Sequence, residues 1–448
     1  MNTSEFDKHK VDHLFLLIGE NPLPNYVAAK TLLVEGGKPY LVFTEHTQKP
    51  AERLKDVLDL DLSDKQMWSL DNNESNAAEI KKKIREIVEI IQEDLDNVQK
   101  KKFGLNYTGG TKAMAVHAYQ ALLQPRLKEP TYKLNPEPIF SYLDSRNLKM
   151  LIDQSTNPVP LDIPKEQLNF SLEKLFKLHG FTLSKPPKTN VTLRELVETI
   201  VNHKPEWQTW CSKVLRLEAR KKIELGEVKN ANNAVEKIFE LGGWKNATEL
   251  RNLSLSIQEL PEEITDVLKE NHLVDDNGCL SIQRIEQASI IPKPKKSNEY
   301  PEDICTWLEG VWLEDYVLRQ LEKIKNKNDG LIDAFGMSFD FDKKSNIAEF
   351  EFDVAFLRGY QLFAISCTTD SKPGLCKLKL FEAYRRAKQL GGDEARVALV
   401  CFCCAGNTKK VQNDFMAQVN DPKVKVFGIN DIASISEGLT TWIQEVDQ

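Results

Sequence analysis

Short apolar runs alternate with helical stretches over the first third of the chain. Residues 12–19 form an almost unbroken apolar run that ends in glycine, and 39–44 and 103–107 are similar runs. Runs of this length are typical of strands buried on both faces. Apolar residues recur at helical spacing over 73–98, and a further helix is predicted over 112–123. Strands that alternate with helices predict a parallel, doubly wound α/β sheet.

The pattern changes twice further along the chain. Helical patterns dominate from 164 to 292, where 260–282 resembles the helix and small hairpin of a winged-helix module. A dimerising or spacing role fits this segment better than DNA reading, because no basic recognition helix stands out. The last third has the order helix, strand, strand, helix, strand, as in a restriction-endonuclease-like α/β core. We therefore expect three domains, over 1–163, 164–292 and 293–448.

Composition and charge exclude few classes of protein. The longest apolar runs have the length of strands, and the first ten residues have no apolar core. We therefore expect no membrane partner, no secretory signal and a cytoplasmic location. The net charge of −7 argues against nucleic acid bound along the whole surface, but it leaves room for a local basic groove.

The cysteines are concentrated near the end of the chain. Three of the eight lie in Cys401-Phe402-Cys403-Cys404, and none of the seven histidines is near them in sequence. A zinc site would require a second pair of cysteines or histidines at ligand spacing. The run is better interpreted as a buried strand in a reducing compartment, and zinc is disfavoured.

Two loops occupy the positions where doubly wound sheets bind ligands. One covers 19–25 after the first strand, and the other covers 106–112 before a helix. The second loop offers two glycines, two hydroxyls and a cation: Gly109, Gly110, Thr108, Thr111 and Lys112. These groups suit an anionic, nucleotide-like ligand, although a glycine turn capped by threonine is the plainer alternative. The spacing is neither Walker A nor dinucleotide-binding, which disfavours ATP hydrolysis and NAD chemistry.

The amino-acid sequences of these two loops resemble those of a known family. Gly19-Glu-Asn-Pro-Leu-Pro-Asn25 and Asn106-Tyr-Thr-Gly-Gly-Thr-Lys-Ala-Met114, with Ser141-Tyr-Leu-Asp144, look like the CRISPR-associated Rossmann fold (CARF) domain, especially those fused to a nuclease. The resemblance covers the whole first domain. It implies that a cyclic oligoadenylate, commonly the four-membered ring, binds across the two-fold axis of a homodimer. The residues it places around the ligand are Gly19, Asn21, Asn25, Thr108, Gly109, Gly110, Thr111 and Lys112.

The last third resembles the PD-(D/E)xK nuclease core. Trp307-Leu-Glu-Gly-Val-Trp-Leu-Glu314 looks like its first helix, and Glu349-Phe-Glu-Phe-Asp353 looks like an alternating strand with its acids on one face. The resemblance implies that Glu314, Glu351 and Asp353 hold Mg²⁺ or Mn²⁺.

The sequence departs from this family on the next strand. Where the family usually has Glu/Ser-Cys-Lys, this chain has Ser366-Cys367-Thr368, so the strand lysine is missing. Either Lys377 (or Lys372 or Lys379) supplies the cation from the following helix, or the site has decayed and only binds. Beside the metal, the basic helix over 377–388 would contact phosphates, although an exposed charged helix face explains Arg386 and Lys388 equally well.

Taken together, the resemblances imply a homodimeric effector of type III CRISPR antiviral defence. A cyclic oligoadenylate, with cyclic tetra-adenylate favoured, would activate a metal-dependent endonuclease that acts on DNA or RNA. Two alternatives stay open. One is a ligand-gated regulator whose inactive nuclease fold binds nucleic acid or protein, and the other is a ring nuclease that degrades the activator.

Overall fold

A computed structural model describes most of the chain. The described residues are 5–58, 66–93, 101–126, 132–145, 147–154, 156–164, 168, 170–229, 235–291, 299–328, 330–339, 341 and 353–446. Within them, helices and strands are distributed over two large sheets and a mainly helical middle segment.

The strands and helices have the following bounds. The strands are β1 (Val11–Leu17), β2 (Leu33–Phe43), β3 (Met67–Ser69), β4 (Phe103–Asn106), β5 (Ile139–Asp144), β6 (Lys149–Ile152), β7 (Val159–Asp162), β8 (Arg220–Lys229), β9 (Val235–Trp244), β10 (Ser254–Ser256), β11 (Cys279–Ser281), β12 (Ala334–Met337), β13 (Val354–Arg358), β14 (Gln361–Thr368), β15 (Arg396–Cys401) and β16 (Lys425–Phe427). The helices are α1 (Leu23–Leu32), α2 (Gln48–Leu58), α3 (Ala77–Glu93), α4 (Lys112–Leu123), α5 (Leu172–Leu178), α6 (Arg194–Asn202), α7 (Lys204–Trp210), α8 (Arg216–Ala219), α9 (Ala247–Arg251), α10 (Glu262–Glu270), α11 (Ile282–Ala288), α12 (Tyr300–Thr306), α13 (Trp312–Lys327), α14 (Pro373–Gly391), α15 (Ala405–Val419) and α16 (Ile435–Glu445).

The N-terminal sheet is doubly wound, as predicted. Among the described residues its strand order is β3-β2-β1-β4-β5-β6-β7, parallel from β3 to β5 and antiparallel beyond. The chain moves outwards in one direction from β1 and in the other direction from β4. The space between these two strands is therefore the topological switch point, and the loops that follow them meet there.

Local sequence signals locate most elements of this sheet. Helix α4 begins at Lys112 because Thr111 caps it, accepting a hydrogen bond from the Met114 amide at 3.2 Å. The predicted closing hairpin is confirmed as β5 and β6. A third antiparallel strand, β7, follows this hairpin and was not predicted.

The middle segment contains more strand than its sequence pattern predicts. Strands β8 and β9 form a hairpin of two ten-residue strands in a region where helical patterns were expected. Alternation of Ile223 and Leu225 with charged residues is the period-two signal that this prediction missed. The predicted helix and hairpin over 260–282 appear as α10 and β11, which pairs with β10. Whether this is a winged-helix module stays a prediction.

The C-terminal sheet combines antiparallel and parallel strands. Among the described residues, its order is β12-β13-β14-β15-β16, antiparallel up to β14 and parallel from there on. Helices α13 and α16 pack on one face, and α14 and α15 pack on the other. Its assignment as a restriction-endonuclease-like fold also stays a prediction.

The two large sheets share one apolar core. Helix α5 contacts α2 beside the N-terminal sheet and α14 beside the C-terminal sheet. Its buried Phe176 packs edge-on against Phe339 and Phe341, with ring centroids 5.4 and 5.3 Å apart. The continuous core means that the sheets are not independent bodies joined by a linker. No described helix is long and apolar enough to cross a membrane.

His179, directly after α5, makes folding sensitive to pH. Burial lowers the pKa of its imidazole from 6.5 to about 4. The unfolded chain therefore takes up a proton near pH 6.5, which the folded chain resists until about pH 4. The free energy of unfolding should fall as the pH drops through this window, with a slope of up to about 1.4 kcal/mol per pH unit from this group. Urea unfolding of the wild type and of His179→Gln at a series of pH values measures this contribution.

The difference in the free energy of unfolding between the wild type and His179→Gln should vary with pH only within that window. The exposed His46, changed to Gln, provides the control for replacing a histidine with glutamine. A His179→Gln difference that does not depend on pH would contradict the assignment.

Candidate functional site

The loops after β1 and β4 approach each other through their backbones. A Cβ atom on Gly19 would lie 3.2 Å from the Gly110 amide nitrogen. A Cβ on Gly109 would overlap the Leu17 carbonyl oxygen and lie 2.9 Å from Asn25 Oδ1. Gly110 has a φ of +72°, a conformation that L side chains rarely adopt. Glycine is therefore required at this crossing for steric reasons, whatever ligand binds there.

Asn25 supports this crossing from inside the protein. Its side chain is fully buried, and its Nδ2 donates a hydrogen bond to the Leu17 carbonyl at 3.0 Å. Its Oδ1 has no hydrogen-bond partner among the described residues. A buried amide oxygen without a partner is costly, so this oxygen is an available acceptor beside Gly109.

Both threonine hydroxyls of the 106–112 loop are already used within the fold. Thr108 Oγ1 accepts a hydrogen bond from the Leu143 amide at 2.6 Å, which ties the loop to β5. Thr111 Oγ1 caps α4 and also donates to the Glu74 carbonyl at 3.0 Å. Lys112 is exposed at the start of α4. The loop therefore offers a ligand mainly the Lys112 ammonium and backbone amides at the positive end of the helix.

Asn21 faces a different part of the molecule. Its Oδ1 accepts from the Leu23 amide at 3.0 Å and lies 3.2 Å from His179 Nε2. Its Nδ2 lies against Gly392, at the end of α14. The cavity that it lines, of about 560 Å³, also includes Tyr360, in the turn between β13 and β14, and Glu394, shortly before β15. The structure thus separates Asn21 from Asn25 and places it at the junction between the two sheets.

The second predicted site is organised around Asp353, immediately before β13. Asp353 Oδ2 accepts hydrogen bonds from Ser366 Oγ at 2.9 Å and from the Cys367 amide at 2.5 Å. Ser366 therefore orients the carboxylate, and one carboxylate oxygen is committed to β14. Asp353 can therefore act as an oxygen ligand whose orientation is fixed by β14.

The buried thiol of Cys367, whose amide binds Asp353, is affected by three charged side chains. Its pKa is raised well above the usual value by burial, then by the charges of Asp353 and Glu314, while Lys379 acts in the opposite direction. These three charged groups therefore lie close enough to act on one sulfur atom. Glu314 is half-buried on α13, and Lys379 is exposed on α14.

The remaining predicted residues lie elsewhere or outside the described residues. Lys377 pairs with Asp414 at 3.6 Å, so its charge is directed toward α15. Thr368 Oγ1 accepts from the Asp370 amide at 3.2 Å and stabilises the turn after β14. Glu351, like Glu349, lies outside the described residues. Within the part of the chain that is described, no group of three carboxylates lies at metal-ligating distance.

Two further acids of the first-helix motif are held by other partners. Glu309 accepts from Arg216 at 2.5 Å and from Arg220 at 2.6 Å. Asp315 is fully buried and binds the Lys188 ammonium at 2.7 Å. Neither acid was assigned to the site from the sequence. Neither is free to hold a cation, because each is already neutralised by a basic side chain.

Most of the N-terminal sheet matches a known family model. Residues 14–129 match the Card1 CARF domain family. The N-terminal sheet, which is parallel from β3 to β5, matches the Rossmann-like CARF fold. The match extends from β1 past α4 and thus includes both loops at the switch point of the CARF domain. No curated protein matches the chain.

Comparison of folds extends the likeness beyond the CARF domain. The structure of Can2 from Sulfobacillus thermosulfidooxidans, in complex with cyclic tetra-adenylate, aligns over 96% of this chain and 99% of its own, with 16% identity and a TM-score of 0.63. Protein VC1899 from Vibrio cholerae aligns over 97% and 98%, with 15% identity and a TM-score of 0.66. At such identities the likeness concerns the fold alone. It covers nearly the whole of each chain, so the similarity is not limited to the CARF domain.

Gly109→Ala tests whether the backbone crossing holds the CARF loops together. The added methyl group would overlap the Leu17 carbonyl and press on Asn25, and overpacking of this kind costs about 1–3 kcal/mol. We expect a corresponding loss in the free energy of unfolding, measured with urea. Gly406→Ala, in α15 with open space around it, should be neutral or slightly stabilising. Equal stability of the two variants would show that the loops do not meet at Gly109.

Proposed function

We propose that this protein is a cyclic-oligoadenylate-activated, metal-dependent nuclease of type III CRISPR defence. The observation that carries the proposal is the coexistence, in one fold, of a region that matches the CARF domain and of an Asp353 carboxylate that Ser366 and the Cys367 amide hold in one orientation. The near-complete fold likeness to a structure solved with cyclic tetra-adenylate supports that ring as the activator. Either DNA or RNA is a suitable substrate for such a site.

The CARF loops suit an anionic, symmetric ligand. Lys112 and the amides at the start of α4 favour phosphate, and the glycines allow close backbone approach. A ring with two-fold symmetry would bind between two copies of the chain, each contributing the same loop. The proposed assembly is therefore a homodimer with the activator at its CARF interface.

The acidic site has the donor chemistry that a hard divalent cation requires. Asp353 and Glu314 provide carboxylate oxygens, and we propose that they hold Mg²⁺ or Mn²⁺ together with Glu351. When bound, such an ion activates water and neutralises charge on a phosphodiester. Ser366 and the Cys367 amide hold Asp353 in one orientation, so the carboxylate does not need to reorganise.

Lys379 is our candidate for the cation missing from β14. Its ammonium acts on the Cys367 thiol together with Asp353 and Glu314, whereas Lys377 is paired with Asp414. A lysine that reaches the site from a helix performs the same electrostatic task as one on the strand, because phosphate responds to the position of the charge. Lys379 would bind the substrate phosphate beside the metal.

Helix α14 connects the two sites within one chain. Its first half carries Lys379, and its end at Gly391 and Gly392 lies against Asn21 of the CARF loop. A change in the 19–25 loop on ligand binding would therefore reach the nuclease site through a single rigid element. Allosteric coupling requires such a physical connection and two states that both sites distinguish.

Cleavage of labelled DNA and RNA, with Mn²⁺ and with or without cyclic tetra-adenylate, tests the nuclease. Asp353→Asn should lower activated cleavage by at least ~100-fold, because it removes a charged metal ligand. Lys379→Ala should lower it more than Lys377→Ala does. Asp414→Asn is the matched control on the neighbouring helix and should retain activity. Lys112→Ala should retain full cleavage but require more activator.

The outcomes separate the alternatives. Ligand binding without cleavage of either nucleic acid would favour a regulator with an inactive nuclease fold, consistent with Thr368 in place of lysine. Loss of the activator during incubation with Asp353→Asn would favour a ring nuclease. Undiminished cleavage by Asp353→Asn would eliminate the proposed site.

Gly392→Ala tests the connection through α14. Gly392 has a φ of +64°, and a methyl group there would displace Asn21. We expect activator binding and basal cleavage to stay near wild type, while the activation factor falls by about 5-fold or more. Gly36→Ala is the matched control, with a φ of +74° but open space around it. Equal activation factors in the two variants would contradict coupling through this contact.

A further inference from the structure

Three cysteines that are distant in sequence meet in the core of the C-terminal sheet. Cys376 lies in the first turn of α14, Cys401 ends β15, and Cys403 follows two residues later. Their sulfur atoms all lie within 4.8 Å of one another, and those of Cys376 and Cys403 are 3.5 Å apart. All three side chains are buried. Among the described residues, no other such group of potential ligands occurs.

Strand geometry explains how the sulfurs converge. Residues two apart on an extended chain point to the same side, so Cys401 and Cys403 both face α14. Phe402 points to the opposite side and packs against Trp312, with centroids 6.1 Å apart. The first turn of α14 then adds Cys376. Spacing along the sequence conceals this cluster, because its third sulfur comes from a residue well before the Cys401–Cys404 run.

The cluster also holds the turn that follows β14. Cys376 donates to the Asp370 carbonyl at 3.4 Å, and Cys403 donates to the Ser371 carbonyl at 3.4 Å. This turn directly follows Thr368, whose partner in the parallel ladder is Cys401. The sulfurs are therefore adjacent to the proposed nuclease site but belong to a separate layer of the fold.

The separations and the donor type suit a soft cation. Two sulfurs bound to one ion at about 2.3 Å lie about 3.8 Å apart in a tetrahedral site. The observed spacing needs only a small adjustment to reach this value. Sulfur ligands select soft ions, whereas Mg²⁺ and Mn²⁺ prefer oxygen. The amino end of α14, a helix of 19 residues, favours the negative charge of bound thiolates.

We propose that Cys376, Cys401 and Cys403 form a three-sulfur site for a soft d¹⁰ cation, Zn²⁺ or Cu⁺. The site is independent of the cation proposed at Asp353 and does not depend on nuclease activity. A bound ion would join the first turn of α14 to the end of β15 and fix the turn at 370–372. The ion would stabilise the structure beside the proposed nuclease site and would take no part in cleavage.

Metal titration of the reduced, metal-stripped full chain tests the proposal. Zn²⁺ and Cu⁺ are added in separate anaerobic experiments with a phosphine reductant. The ion retained after desalting is measured by elemental analysis, and the rate of maleimide reaction is mapped onto each of the eight cysteines. We expect one equivalent of bound ion per chain. Maleimide should react more slowly with the three clustered cysteines when the ion is bound, and at an unchanged rate with the others. Tighter Zn²⁺ binding would indicate a fourth ligand, and tighter Cu⁺ binding would indicate a trigonal site.

Variants locate the ion. Cys403→Ser should weaken binding by at least ~10-fold. Cys211→Ser and Cys305→Ser, buried in an apolar cluster that contains none of the three clustered cysteines, are matched controls and should bind as the wild type does. Retention of neither ion, unchanged affinity in Cys376→Ser, or protection located at Cys404 would overturn the proposal. If a serine variant fails to fold, the labelling map of the unmodified chain still decides the question.

Discussion

The packing of α5 between the two large sheets is the constraint on which the rest of the structure depends. Its apolar face contacts α2 beside the N-terminal sheet and α14 beside the C-terminal sheet at once, and Phe176 packs edge-on against Phe339 and Phe341. Because this core is continuous, the orientation of one sheet determines the orientation of the other. The cavity beside Asn21 and the contact at Gly392 exist only because the sheets are held in this way.

Local signals made much of the fold predictable. The apolar run of β1 and the threonine cap of α4 are read from neighbouring residues, and both elements lie where they were expected. The β8–β9 hairpin was missed because its alternation is weak and its glycines resemble helix breaks. The shared core around α5 was also missed, since contacts between distant segments leave no periodic signal in the sequence.

The candidate sites were predictable as sets of residues but not as arrangements. The glycine loop was recognised, yet only the structure shows that Asn25 lies beneath it while Asn21 faces the other sheet. Sequence also offered three lysines for one task, and pairing with Asp414 distinguishes Lys377 from Lys379. The direction of a side chain decides which candidate residue faces a site. That direction is set by the packing of helices rather than by spacing along the chain.

The length of α14 has a consequence for how this chain can vary. Its 19 residues span about 28 Å, with Cys376 and Lys379 near one end and the contact with Asn21 at the other. Inserting one residue would lengthen the helix by about 1.5 Å and rotate one end by about 100° relative to the other. Insertions and deletions should therefore be tolerated in surface loops but excluded from this helix. Its length fixes the distance and the rotation between the contacts at its two ends.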